Sequence, residues 1–153
     1  MVKTILIPFD AQGTSNPCLP VSLKLGQRLE SHLVVMHVKS DPKETISLFG
    51  EGMSVNGTEN IINVGEREAD GLLKKAQKSF NSITVQLKNK IASAPIKRGS
   101  SAWWLQVIGR EDDKVATYGQ TSDLIVVSKA NKESDLSISE VLNAAIFGTR
   151  MFP

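Results

Sequence analysis

Two polar turns hold the side chains of this protein best placed to do chemistry. The first follows the apolar run KTILIPFD and sets Asp10 ahead of Ala11-Gln12-Gly13-Thr14-Ser15-Asn16. The second follows SDLIVV and reads Ser128-Lys129-Ala130-Asn131-Lys132. A carboxylate at Asp10 can accept hydrogen bonds from a sugar hydroxyl or a base amino group. A turn between a strand and a helix is where main-chain N–H groups converge on phosphate oxygens. The second turn has the position of a phosphate loop but not its glycines, and Cβ atoms restrict the close backbone approach and positive φ angles that glycine permits. Lys129 and Lys132 would then meet a phosphate as point charges only.

The remaining reactive side chains read as structural. His37 lies near the carboxyl end of an apolar strand with no nucleophile beside it in sequence, which favours a hydrogen-bonded core histidine over a general base. His32 falls at a helix-to-strand junction. Cys18 is placed in the first turn of a helix, where a thiol can be activated, yet a lone free cysteine more often packs as a small apolar residue. It forms no internal disulfide, and no Cys/His spacing resembles a zinc site. Glu111, Asp112 and Asp113 suit a helix N-terminus, on the favourable end of its dipole, better than a metal cage. Trp103 and Trp104 suit a packed edge strand. No catalytic residue and no metal ligand is expected.

The elements that must position these turns alternate regularly. Apolar, β-branched runs at 4–9, 33–38 and 124–127 read as parallel strands covered on both faces. The run at 103–108 is weaker: Trp103, Leu105 and Val107 alternate with Trp104, Gln106 and Ile108, as on an edge strand with one face partly open. Asn16 and Pro17 open a helix carrying Leu19, Leu23, Gly26 and Leu29. A long amphipathic helix carries Ala69, Leu72, Leu73, Ala76, Phe80, Ile83 and Leu87, and should begin between Thr58 and Glu66. The glycine-rich stretch 41–57 before it reads as a loop with a helical turn near 46–49. A short helix spans about 112–120, and a fourth starts at the capping box Ser137-Ile138-Ser139-Glu140. The order β-α-β-α-β-α-β-α predicts an α/β, doubly wound parallel sheet with helices on both faces.

Length and composition fit one domain over residues 1–153, with 41% hydrophobic and 22% charged residues and a net charge of +2. The eighteen Lys and Arg are scattered among sixteen acids, without the basic stripe and interleaved aromatics of a nucleic-acid surface. The first apolar run is too short for a signal peptide, and nothing later approaches a membrane span, so a cytoplasmic protein without nucleic-acid or membrane partners is expected. On that reading the sequon Asn56-Gly57-Thr58 is chance.

The same segments resemble the universal stress protein family. KTILIPFD is similar to its first strand ending in Asp, HLVVMHV to its second, READGLLKKAQKSF to the long helix before its third, and SDLIVV to its fourth. AAIFGTRMFP looks like the run into a fifth strand. VLNAAIFGTR and YGQTSDLIVVSK look most like tandem members from proteobacteria, which makes this chain the counterpart of a first domain. The resemblance implies strand order 3-2-1-4 with the fifth strand missing, and pairing with a second copy or a second such domain. It also implies an adenine-nucleotide site, for ATP or AMP. Asp10 would hold ribose or base, the backbone near Val38 the adenine, and a loop of pattern Gly-x2-Gly-x9-Gly-Ser/Thr the phosphates. Laid on this chain, the loop's first two glycines fall at Ser128 and Asn131 and its third near Val141.

A non-enzymatic stress-response module with a degenerate nucleotide site, and no bound cofactor, is therefore the first expectation. The alternative is an ATP- or adenine-nucleotide-binding protein with slow hydrolase activity, resting on Asp10 and Gly13-Thr14-Ser15-Asn16. A flavodoxin-like flavin binder using the first turn is a third reading. With the fifth strand absent, the fourth would expose an apolar edge that invites association.

Overall fold

The computed structural model describes residues 1–9, 18–41, 55–128 and 136–148. In chain order they form β1 (Thr4–Pro8), α1 (Cys18–Leu29), β2 (His32–Lys39), α2 (Val55–Gln86), β3 (Lys90–Ile91), β4 (Ser101–Ile108), α3 (Glu111–Gly119), β5 (Leu124–Ile125) and α4 (Leu136–Asn143), closed by a π-helical turn, Ala144–Gly148. The strands make one sheet in the order β3-β4-β2-β1-β5, with every pairing parallel.

Alternation along the strands sorts the apolar side chains into two layers. Ile5, Ile7, Leu33, Val35 and Ala102 face one side, where Leu19 and Leu23 of α1 and Ala76 and Phe80 of α2 cover them. Leu6 and Met36 face the other, under Val115 of α3 and Val141 of α4. Both faces of β1 and β2 are therefore dry, and each fully buried aliphatic side chain contributes about 1.5–3 kcal/mol relative to exposure. Gly26 is where α1 crosses β2: a Cβ there would lie 3.0 Å from Leu33 Cγ, inside its contact distance. Glu30, at φ 53°, ends α1 in the left-handed region, and the Ser31 amide donates back to the Gly26 carbonyl.

The four strands read from sequence appear in the expected order, and the sheet adds a fifth that sequence periodicity does not reveal. It is β3, two residues long, which pairs Lys90 with Ser101 and Ile91 with Ala102 on the far side of β4. The missing-strand expectation is corrected to that extent. Among the described residues five strands are present, the additional one lying at the opposite edge from the place the resemblance gave it. Among the described residues β5 is the other edge of the sheet.

Smaller differences follow from the same packing. The 124–127 run pairs with β1 over two residues and is half-buried rather than buried, because β5 has one neighbouring strand. In β4 the face shared by Trp104, Gln106 and Ile108 is covered at Trp104, which packs into the first layer, and open beyond it at Gln106 and Ile108. The long helix starts at Val55, three residues before the expected range, and α3 starts one residue early at Glu111. The fourth helix starts at Leu136, ahead of the expected cap at Ser137. The helical turn near 46–49 and the Asn16-Pro17 helix start lie outside the described residues.

Candidate functional site

The crevice expected in a doubly wound sheet lies at the carboxyl ends of strands whose connections leave in opposite directions. Here α1 carries the chain from β1 to β2 on one side, and α3 carries it from β4 back across to β5 on the other. The switch falls between β1 and β5. Of the residues expected there, Val38 and Ser128 are described, while Asp10, Lys129 and Asn131 lie outside the described residues. Both described residues stand beyond the paired part of β1, Val38 on β2 and Ser128 three residues past the end of β5.

Val38 owes its position to strand length. The register of β1 with β2 ends at Pro8 opposite Met36, whereas β2 and β4 stay paired to Lys39 opposite Ile108. The Phe9 amide donates to the Met36 carbonyl at 2.8 Å, and the Gly109 amide to the Lys39 carbonyl at 3.0 Å. Even-numbered residues of β2 thus turn their backbone toward β1, and odd-numbered ones toward β4. Val38 is the next even residue after Met36. Its N–H and C=O face the crevice with no strand pairing them among the described residues, and its side chain packs into the second layer. A planar base with a donor and an acceptor on one edge suits such a backbone pair.

Ser128 closes the other side. Its hydroxyl donates to Cys18 Sγ at 3.2 Å, tying the end of the β5 segment to the first residue of α1. Both residues are half-buried. Cys18 is therefore neither sealed beneath the turn, as expected of a small apolar residue, nor loose in solvent. Sequence could not reveal this contact, because the partners are 110 residues apart. Val141, the position matched to the third loop glycine, lies within α4 at 5% exposure, packed with Leu6, Met36 and Val115. A buried helical residue presents no free amide to a ligand.

The histidines are placed as structural groups. His37 Nδ1 lies 3.2 Å from the Phe9 carbonyl, so the nitrogen carries the proton and donates. The ring stacks on Trp104 at 5.8 Å and 17°, beside Phe9 and Phe80, which also meet that indole. His32 is buried at the start of β2 with Nδ1 2.8 Å from Ser101 Oγ, and burial pushes its pKa below the usual 6.5. Near the same end of β2 as Val38, Lys39 Nζ meets Asp70 Oδ1 of α2 at 2.7 Å. That hydrogen bond and the ammonium charge hold the Asp70 carboxyl below the usual range.

Glu111, Asp112 and Asp113 do form the first turn of α3, and Arg110 chelates Asp112 through Nε and Nη2 at 3.2 and 2.7 Å. No group of three metal-ligating side chains occurs among the described residues, and none of their helices is long and apolar enough to cross a membrane. At the opposite end of the sheet the Asp123 carboxylate accepts from the Lys3 and Thr4 amides at 2.8 and 2.9 Å. These bonds depress its pKa, Thr4 foremost, and fasten β5 to the start of β1.

No family model matches this chain, and no curated protein matches it. Solved structures do. Universal stress protein UspA from Lactobacillus plantarum aligns at TM-score 0.57, with 14% identity over 95% of this chain and 90% of that one. The hypothetical protein MJ0577 aligns at TM-score 0.53, with 16% identity over 95% and 89%. The hypothetical protein PH0823 gives TM-score 0.53, with 13% identity over 93% and 89%. What is shared at these identities is the fold, and it is the fold of universal stress proteins.

Proposed function

We propose that this chain is a universal stress protein-like module that works in the cytoplasm by association rather than turnover. Its nucleotide crevice keeps the base-facing backbone and has lost the phosphate cradle. The observation that carries this reading is the pair of side chains at the cradle's own positions. Ser128 spends its hydroxyl on Cys18, and Val141 is buried inside a packed helix. Neither leaves bare peptide for a phosphate to approach. Asp10, Lys129 and Asn131 would complete the rim. The His37 proton is engaged with a carbonyl, and the serine–histidine contact of Ser101 with His32 is buried at the opposite end of the sheet from the crevice, which favours a binding module over a hydrolase.

The module would join a second copy or a second domain of its kind. The resemblance assigns that role to the edge beyond β5, and the half-burial of 124–128 is what an incompletely covered edge shows. Two measurements test the reading. Calorimetric titration should give ATP, AMP and adenosine similar weak affinities, with no phosphate release on prolonged incubation. A micromolar dissociation constant for ATP, well below that for adenosine, would overturn the defective cradle. Light scattering coupled to gel filtration should show a dimer or larger species, and a clean monomer at high concentration would remove the association half.

A further inference from the structure

We propose that the outer surface of the second half of α2, with the turn and strand after it, docks on an anionic lipid surface. From Gly71 to Arg110 the chain carries eight Lys and Arg and no Asp or Glu, while the other ten cations share the rest of the chain with all sixteen acids. Charge is therefore segregated along the sequence, not evenly scattered. The structure sets the end of α2 beside β3, the edge strand of the sheet. Ala76, Phe80 and Thr84 bury one side of α2, so Lys74, Lys78 and Val85, spaced four and seven apart, point away from the sheet. Lys88 follows the helix at φ 56°, Lys90 and Ile91 form β3, and Lys97 and Arg98 stand in the connection to β4. Lys78, Lys88, Lys90, Lys97 and Arg98 are exposed, and none is ion-paired among the described residues.

Two exposed aliphatic side chains lie amid these cations, Val85 at 68% and Ile91 at 53%. Charge complementarity alone calls for a polyanion, and the aliphatic pair decides which kind. A bilayer rewards both signals, with headgroup charge meeting the ammonium groups and the interface receiving the apolar ones. Single-stranded nucleic acid rewards aromatic platforms. In this segment Phe80 is buried and both tryptophans are half-buried, Trp104 within the core. Base-edge readout favours arginine, and six of the eight cations are lysine. Surface docking needs no membrane-crossing helix, so it is compatible with the absence of one among the described helices.

Vesicle co-sedimentation of the full chain tests this. Vesicles of phosphatidylcholine with about one-third phosphatidylglycerol should carry the protein down at low salt, while pure phosphatidylcholine should not. Near a charged bilayer each lysine contributes about fivefold to partitioning, so Lys78→Gln/Lys88→Gln/Lys90→Gln should weaken it about a hundredfold. Val85→Ser/Ile91→Ser should weaken it further without changing its salt dependence. All five positions are exposed, and an unchanged circular dichroism spectrum verifies that the variants fold. Failure to bind the anionic vesicles, or equal binding by the triple variant, would overturn the proposal. So would tighter binding to a nucleic-acid duplex or to polyglutamate than to the vesicles, since the surface would then serve another polyanion.

Discussion

Replacing Ser128 by glycine separates the two halves of the proposed crevice. The variant loses the hydroxyl bond to Cys18, a net contribution of about 0.5–1.5 kcal/mol for a bond of ordinary strength. It also gives the unfolded chain more freedom, at about 0.4–1 kcal/mol. Together these predict a stability loss of about 1–2.5 kcal/mol, or a Tm lower by about 2–10 °C for a chain of this size. What it gains is an unobstructed backbone at the first loop position. One N–H newly able to reach a charged phosphate oxygen is worth about 1.5–3 kcal/mol, so ATP affinity should rise about ten- to hundredfold. Adenosine affinity should not change, because the nucleoside does not reach that position. Parallel calorimetric titrations of ATP and adenosine against both proteins give the comparison. If ATP and adenosine change together, or if neither changes while Tm falls as expected, side-chain crowding at Ser128 is not what excludes the phosphates.

Burial disfavours the imidazolium form of His32, so its folded pKa lies below the unfolded value near 6.5. The unfolded chain then binds more protons, and stability should fall as pH drops below about 6.5 toward the folded pKa, with no contribution above it. Urea midpoints compared between pH 7.5 and 5 should decline more steeply in the wild type than in His32→Gln, and equal declines would refute the assignment. Phe80→Ala removes a ring that is 1% exposed and packs on Trp104, and should cost about 3–5 kcal/mol by denaturant unfolding. Gly26→Ala forces a methyl against Leu33, and this overpacking, about 1–3 kcal/mol, should outweigh the helix-propensity gain of up to about 1 kcal/mol. A more stable Gly26→Ala protein would show that Leu33 repacks freely.

What the sequence made legible was whatever periodicity and residue type determine locally. β1 and β2 announce themselves because both faces are aliphatic, and α2 because Ala76, Phe80 and Ile83 keep helical spacing. The two-residue β3 was invisible because Lys90-Ile91 has no periodicity, and it becomes a strand only by lying against Ser101 and Ala102. Pairing between distant segments is equally silent. Nothing near Cys18 points to Ser128, and nothing near His37 points to Trp104, which the register sets opposite Val35, two residues back on the same face. The acid-free segment 71–110 is written in the sequence as well, yet reading the cations as scattered among the acids passes over it. A whole-chain charge balance conceals it, and a windowed one reveals it.

The base-facing edge and the phosphate cradle have different physical origins, and this is why one can be lost without the other. Val38 presents its backbone because β2 outlasts β1 by three residues, a consequence of register that substitutions in a turn leave alone. The cradle depends instead on a few main-chain positions staying bare, and side chains suffice to spoil it while the sheet beneath is unchanged. Val141 goes further, since it is buried against Leu6, Met36 and Val115 and supports α4, so a glycine there would cost core packing as well. The sheet would therefore keep its shape if phosphate recognition were lost, as proposed for this chain. The difference in affinity between ATP and adenosine measures how much of the cradle is left, and in this chain it should be close to zero.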